Sequence, residues 1–412
     1  MIFGKALTAS VLNQVVSSGT SFVYGLYLVR VLTQVEFGLY GIGLAACLLF
    51  AGFGNALFLT QMVVHIPEKQ VDDRSFYAAH ILVLVGLFCL VTLIIIVAIS
   101  EVGIFFGWIS IPMSKLLFGI AVAAAANLLK NYFVQLAYSM KNENKALAIN
   151  LVHAFTLITL ILLQYGDYSI KDAATAFLVI AAANFMASLF GPLILHLPIK
   201  RISLTRLKSD LIEVSVGGKW ALGGVTVTWL QSQVYIYVTT ILIGPIGVAM
   251  ANAARMLISP FMFLVPAFSQ LLLPRLAELR STNEMRMHRI GQFYTLILLG
   301  LGIIYILVLW LGTAYIIPLF LGSKYSVDEI LPLVVVWGCV LLFQLARNGA
   351  SIIMQAMKEF RNLTIVNTVT AIITLAISAS LIVPMGVLGA ILGVSIGEAL
   401  LAILLWYQVR YR

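Results

Sequence analysis

Long apolar runs, each ended by a handful of charged residues, constrain this chain more than any other feature. They fall at about 6–32, 38–63, 77–99, 112–139, 146–165 and 173–196, then at 215–242, 248–273, 291–318, 330–356, 363–383 and 387–408. About 20 residues of helix cross the ~30 Å hydrocarbon layer, so the pattern predicts twelve transmembrane helices. Composition agrees, with 62% hydrophobic and 10% charged residues, where an average soluble domain has ~45–50% and ~25%. That much apolar side chain cannot be hidden in one soluble core. A soluble enzyme, a disordered chain and a nucleic-acid-binding domain are thereby excluded, and nucleic acid is not an expected partner. The first run is not a cleaved signal peptide: it is too long, is polar at Asn13 and Gln14, and lacks a small-residue cleavage site. Cys47, Cys89 and Cys339 all sit in apolar runs without ligand spacing, which argues against a disulfide framework or a zinc site. There is no phosphate-binding glycine loop, no HExxH and no GxSxG, so neither an enzyme nor a cofactor is expected.

The formal charge of +9 maps onto topology. Eighteen of the 25 Lys and Arg lie at the termini and in even-numbered loops, including Lys69, Arg74, Lys141, Lys145, Lys200, Arg201, Arg206, Lys208, Lys358 and Arg361. Only five lie in odd-numbered loops. Basic residues collect on the cytoplasmic side, so both termini are expected there. The longest polar connection, 197–214, spaces Ile and Leu among Arg and Lys like an amphipathic helix on the inner leaflet. It divides the chain into a first six-helix lobe at 1–199, a cytoplasmic amphipathic linker at 200–214 and a second six-helix lobe at 215–412.

The halves echo each other. Asn127, Lys130, Asn131, Met140, Lys141 and Asn150 align without a gap on Gln344, Arg347, Asn348, Met357, Lys358 and Asn367, at an offset of 217 residues. A second echo sets Phe37 and Gly38 on Ile246 and Gly247. Repeated bundles build many secondary transporters, and here they imply an all-α integral membrane protein with two six-helix lobes around a central cavity.

Lys130 lies 11 residues before Lys141, about 16 Å along a helix, which places it near the bilayer midplane; Arg347 stands at the same depth. A cation there costs at least ~2.5–3.5 kcal/mol, so each should face protein or water. Asn127 and Asn131 flank Lys130, and Gln344 and Asn348 flank Arg347, which suggests a hydrated cationic cleft; capping of carbonyls or pairing with Glu398 is the structural alternative. Asn13 and Gln231 add amides, while Arg30 and Arg255 add cations in odd-numbered loops. Amides, hydroxyls and aromatic rings together suit a sugar. Glu398 is the only acid in the middle of a span, and it either carries a coupling proton or sodium ion or neutralises a buried cation. Gly389, Gly393 and Gly397 form a small-xxx-small packing seam. Pro260 and Pro266 predict a break in the eighth span. His153 lies within a span, away from its ends, where a hydrogen-bonded structural role is expected.

Arg30, Leu32, Phe37, Gly38 and Tyr40 spell R-x-L-x(4)-F-G-x-Y, a pattern that resembles bacterial polysaccharide flippases. These are the O-antigen, or Wzx-like, members of the multidrug/oligosaccharidyl-lipid/polysaccharide (MOP) exporter superfamily. Pro274, Arg275, Leu276, Ala277 and Glu278 are similar to that family's P-R-L-A-E segment. The resemblance implies a MATE/MOP-like fold in the bacterial inner membrane. It implies transfer of an undecaprenyl-diphosphate-linked oligosaccharide, an O-antigen or exopolysaccharide repeat unit, between leaflets by alternating access. By position, Lys130, Arg347, Arg30 and Arg255 would be the cavity cations that attract the diphosphate and acidic sugars. Expected partners are the lipid-linked oligosaccharide, membrane lipids, a coupling proton or sodium ion, and polysaccharide polymerase or assembly proteins. Tyr235 stands where many members carry Asp, and Ala249 where they carry Tyr, so no ion-coupling role transfers to position 235. An ion-coupled exporter of a drug or other small molecule would share the same two-lobe pattern. A glycan polymerase would need a large periplasmic loop, which is missing.

Overall fold

The structure, a computed structural model, describes residues 2–163, 170–195 and 204–410. Parts of the expected loops at about 166–172 and 197–214, with Lys200 and Arg201, lie outside these, as does Arg412. The described elements are helical throughout. They are α1 (Ile2–Val31), α2 (Gln34–Gly54), α3 (Thr60–His65), α4 (Val71–Phe105), α5 (Ile111–Ser139), α6 (Glu143–Leu163) and α7 (Ala173–Leu195). There follow α8 (Leu204–Leu242), α9 (Pro245–Met262), α10 (Leu264–Thr282), α11 (Glu284–Leu321), α12 (Val327–Ala356) and α13 (Phe360–Arg410). One π-turn, Asn55–Leu59, joins α2 to α3 in a single rod. Eight helical stretches among the described residues are long and apolar enough to cross a membrane. The chain is a multi-pass membrane protein.

Two elements differ from the expected spans, each for a local reason. The linker and the seventh span are one helix, α8, of 39 residues. No proline separates them, and Gly217 and Gly218 weaken a helix by only ~1 kcal/mol each. The eighth span breaks at Phe263 into α9 and α10. Pro266 removes the N–H that would bond the Met262 carbonyl, as the proline pair predicts.

The last two spans form a hairpin within α13, which reverses at Gly386 (φ 59°, ψ −140°). This left-handed conformation is one that glycine alone adopts without strain. Beyond it, Gly389 meets the Leu381 backbone, Gly393 meets Ser378 and Gly397 meets Thr374. A methyl group on any of the three would overlap its neighbour. The glycine seam read from the sequence is thus the contact line of two antiparallel helices.

The duplication is visible in the backbone. Ser110 caps α5 by accepting from the Met113 N–H (3.4 Å), and Ser326 caps α12 by accepting from the Glu329 N–H (3.3 Å). At the other ends, Lys141 (φ 55°) and Lys358 (φ 63°) are the non-glycine residues of positive φ among the described residues. Each closes its helix with the same bonds: Asn142 N–H to Ala137 C=O and Glu359 N–H to Met354 C=O, both 2.9 Å. These six-to-one bonds mark a Schellman end, repeated at the offset of 217 residues that aligns the side chains.

The chain packs as two compact units, Met1–Ser21 with Gly43–Thr226, and Phe22–Ile42 with Val227–Arg412. The tip of the α1–α2 hairpin therefore belongs to the second unit, and α8 passes from one unit to the other. The first unit is built around Phe58, Leu59, Met62, Leu128, Tyr132 and Ile149. The second has a core of Leu276, Met287, Ile353, Leu401 and Leu405. In the first, α5 and α7 run parallel, with Gly119 against Phe177 and Phe133 against Gly191.

Candidate functional site

In the first unit, α5 carries Lys130 inward, 6% exposed, between Leu128 and Tyr132, both 0% exposed. No carboxylate and no hydrogen bond engages its ammonium among the described residues. His153 of α6 lies within electrostatic reach of it. Among the described residues the Nδ1 of His153 has no partner, nor has the buried Oδ1 of Asn184 on α7. Asn127, one turn before Lys130, and Asn131, the residue after it, are half-buried. Asn13 is committed elsewhere: it donates to the Tyr138 hydroxyl (2.6 Å) and accepts from Asn150 (2.8 Å), tying α1 to α5 and α6.

In the second unit, Arg347 and the buried Glu398 form an ion pair with Nε–Oε2 at 2.6 Å. The N–H points off this line, so the contact is Coulombic rather than a directed hydrogen bond. Gln344 donates to the other carboxylate oxygen at 3.0 Å. Asn348 accepts from Ser269 (3.2 Å) and Tyr294 (3.3 Å). The sequence-selected residues Gln344, Arg347 and Glu398 are thus brought together, with Asn348 beside them.

Arg255 forms a separate cluster. Its guanidinium stacks on the Trp337 ring at 5.3 Å and donates to the Tyr235 hydroxyl at 3.3 Å. Tyr235 donates onward to Asn252 at 3.2 Å. One turn before Tyr235, Gln231 is 7% exposed and its amide nitrogen has no partner among the described residues. A guanidinium, two aromatic faces and two amides can bind a sugar ring that carries negative charge. Trp337 was not among the residues the sequence singled out; its one signal was an indole at the centre of an apolar helix.

Arg30 lies apart from these groups. Its guanidinium donates to the Leu319 and Phe320 carbonyls at the end of α11. Lys324 reciprocates, donating to the carbonyls of Arg30 (2.7 Å), Val31 (3.1 Å) and Leu32 (2.7 Å) at the end of α1. Burial draws the Lys324 ammonium below the ordinary lysine pKa. Each cation sits on a helix C-terminus, where carbonyls are unsatisfied and the dipole is negative.

A further constellation passed unnoticed in the sequence. On α8, Arg206, Asp210 and Glu213 share one face and meet the α3–α4 corner. Arg206 pairs with Asp73 (3.1 Å), Asp210 with the buried His80 (2.6 Å), and Glu213 with both His65 and Lys69 (3.2 Å each). Its signal was present as charges at i, i+4 and i+7 in the linker.

No known protein family matches the sequence, and no curated protein matches it either. Solved structures do. A lipid II flippase, MurJ, in an inward closed conformation matches with a TM-score of 0.70 at 13% identity, over 98% of this chain and 87% of that one. A multidrug-resistance MATE transporter of the MOP superfamily in an inward-facing conformation matches at 0.67 and 16% identity, over 99% and 94%. A MOP superfamily transporter from Pyrococcus furiosus, whose binding pocket is described as of reversed polarity, matches at 0.65 and 14%, over 99% and 95%. The fold is that of the MOP superfamily. At these identities the likeness speaks for architecture alone, and it agrees with the two-lobe MOP-like bundle expected from the sequence. The MOP neighbours are transporters and flippases, not enzymes.

Proposed function

We propose that the chain is a flippase for an undecaprenyl-diphosphate-linked oligosaccharide, an O-antigen or exopolysaccharide repeat unit, and works by alternating access in the bacterial inner membrane. The observation that carries this reading is an interior rich in cations on a fold shared with a lipid II flippase. Lys130 and Arg255 have no carboxylate partner among the described residues, and Arg255 is framed by aromatic rings. Diphosphates and acidic sugars need such charge, while a polyprenyl tail can stay in the bilayer. The proposed arrangement has a lobe at 1–199 and a lobe at 215–412, each with six helices, both termini cytoplasmic, and polymerase or assembly proteins as partners. The test is glycan display by cells whose own flippase is deleted. Wild type should restore it, and Lys130→Ala with Arg255→Ala should not, at equal protein level. Full display by that double variant would sink the reading.

A second reading, ion-coupled export of a drug or other small molecule, draws on the MATE likeness. It makes Glu398 the ion site. Resistance to cationic drugs conferred by the chain, without rescue of glycan display, would select it.

A further inference from the structure

The two repeats place equivalent cations in unlike electrostatic settings. Arg347 is neutralised by Glu398, which Gln344 also holds. Extending the 217-residue offset from Glu398 reaches Ala181, which is 4% exposed. The whole of α7, Ala173–Leu195, contains no acid. The only acid in α5 or α6 is Glu143, in the first turn of α6 and 13 residues beyond Lys130 in sequence. The carboxylate present in the second repeat therefore has no counterpart in the helix that replaces it.

Uncharged polar side chains of α6 and α7 lie at the level of Lys130. The parallel register of α5 and α7 sets residues 126–130 level with Asn184 and Ser188. Ser188 donates to the Asn184 carbonyl (2.8 Å), and the Asn184 amide oxygen has no partner. His153 brings a ring nitrogen that also lacks one. A buried ammonium without a counter-charge is costly, because nothing replaces the water it has lost. A mobile anion would supply the missing charge, and enclosure strengthens its attraction because little water intervenes.

We infer that the first repeat holds the binding site for the anionic group of the cargo, with Lys130 as its cation and Asn127 and Asn131 beside it, whereas Arg347 is a fixed structural charge closed off by Glu398. The cargo assignment, a phosphate-bearing lipid, rests on the flippase reading; the unequal roles of the two cations do not. The duplicated bundle has diverged into one half that binds charge and one half that braces it.

The experiment uses the purified full chain in neutral detergent, with unfolding followed as farnesyl diphosphate, inorganic pyrophosphate or uncharged farnesol is added. Wild type should be stabilised by both anions and not by farnesol. Lys130→Gln should weaken apparent anion affinity by about tenfold or more, as expected for loss of a charge-assisted contact. Its ligand-free melting temperature should stay level or rise, because an unpaired buried charge is gone. Arg347→Gln with Glu398→Gln should keep affinity within about threefold of wild type, since both members of the pair leave together. Arg347→Lys keeps the pair and should also bind normally, which provides a reading if the double variant does not fold. Anion binding by Lys130→Gln equal to wild type, or its loss in both Arg347 variants, would overturn the inference. So would a wild type that neither anion stabilises. Stabilisation by pyrophosphate but not by farnesyl diphosphate would sustain the Lys130 site while refuting a lipid-linked cargo.

Discussion

Glu398 is held by two side chains, and its carboxylate is 3% exposed. Glu398→Gln strands the Arg347 charge in a half-buried setting, and should cost ~1–3 kcal/mol, below the ~3–5 of a wholly buried pair because Arg347 is 30% exposed. Arg347→Gln in the same chain should recover most of the lost melting temperature. Were Glu398 a coupling site, transport by Glu398→Gln would lose its dependence on the proton or sodium gradient; the pairing predicts lower stability with that dependence intact. Arg30 and Lys324 make a different case. Both spend their charge on helix-end carbonyls, so Lys324→Met should lower the melting temperature and leave transport per folded molecule unchanged. Sequence reasoning grouped Arg30 with the cavity cations because a lone Arg looks alike in either role. Only the third dimension brings the end of α11 to it, 289 residues away.

At the scale of elements, the backbone holds what side-chain patterning could not express. The span pattern was legible because hydrophobic length is a direct physical requirement of the bilayer. The union of the linker with span seven was not, because polarity reports what a helix faces and not where it ends. The left-handed ends at Lys141 and Lys358 carry a further expectation. A side chain in that conformation costs roughly 1–2 kcal/mol, and glycine removes this at an entropic cost of ~0.5–1 kcal/mol. Lys141→Gly and Lys358→Gly should each stabilise the chain slightly in thermal unfolding, and β-branched Lys358→Val should destabilise it. The hairpin in α13 is less forgiving. Gly393 meets the Ser378 backbone directly, so Gly393→Leu should force its two helices apart and reduce the yield of folded protein, while Gly300→Leu, where the added carbon meets nothing, should be tolerated.

Across the whole molecule, one duplication accounts for both the architecture and its asymmetry. The matched Schellman ends show that the repeat extends to hydrogen bonds, and Glu398 against Ala181 shows where the copies have parted. In the proposed topology each copy has six crossings, an even number, so it begins and ends on the same side of the bilayer, and the charge bias makes the cytoplasm that side. Lys208 lies in the basic connection at 200–214 and Ser323 in the short loop after α11, on opposite sides in the proposed topology; both are exposed. In a chain with Cys47, Cys89 and Cys339 replaced by Ala, Ser323→Cys should react in intact cells with an impermeant thiol reagent supplied from outside. Lys208→Cys should react only after the membrane is opened. Both sites avoid the ion pairs of α8 and the helix-capping ammonium of Lys324, so labelling reports sidedness and not unfolding. Neighbouring exposed residues in the same two loops should follow the same pattern. The opposite result at both positions would invert the molecule, placing the α8 charge cluster outside. Equal labelling at both would show that the span count between them is wrong.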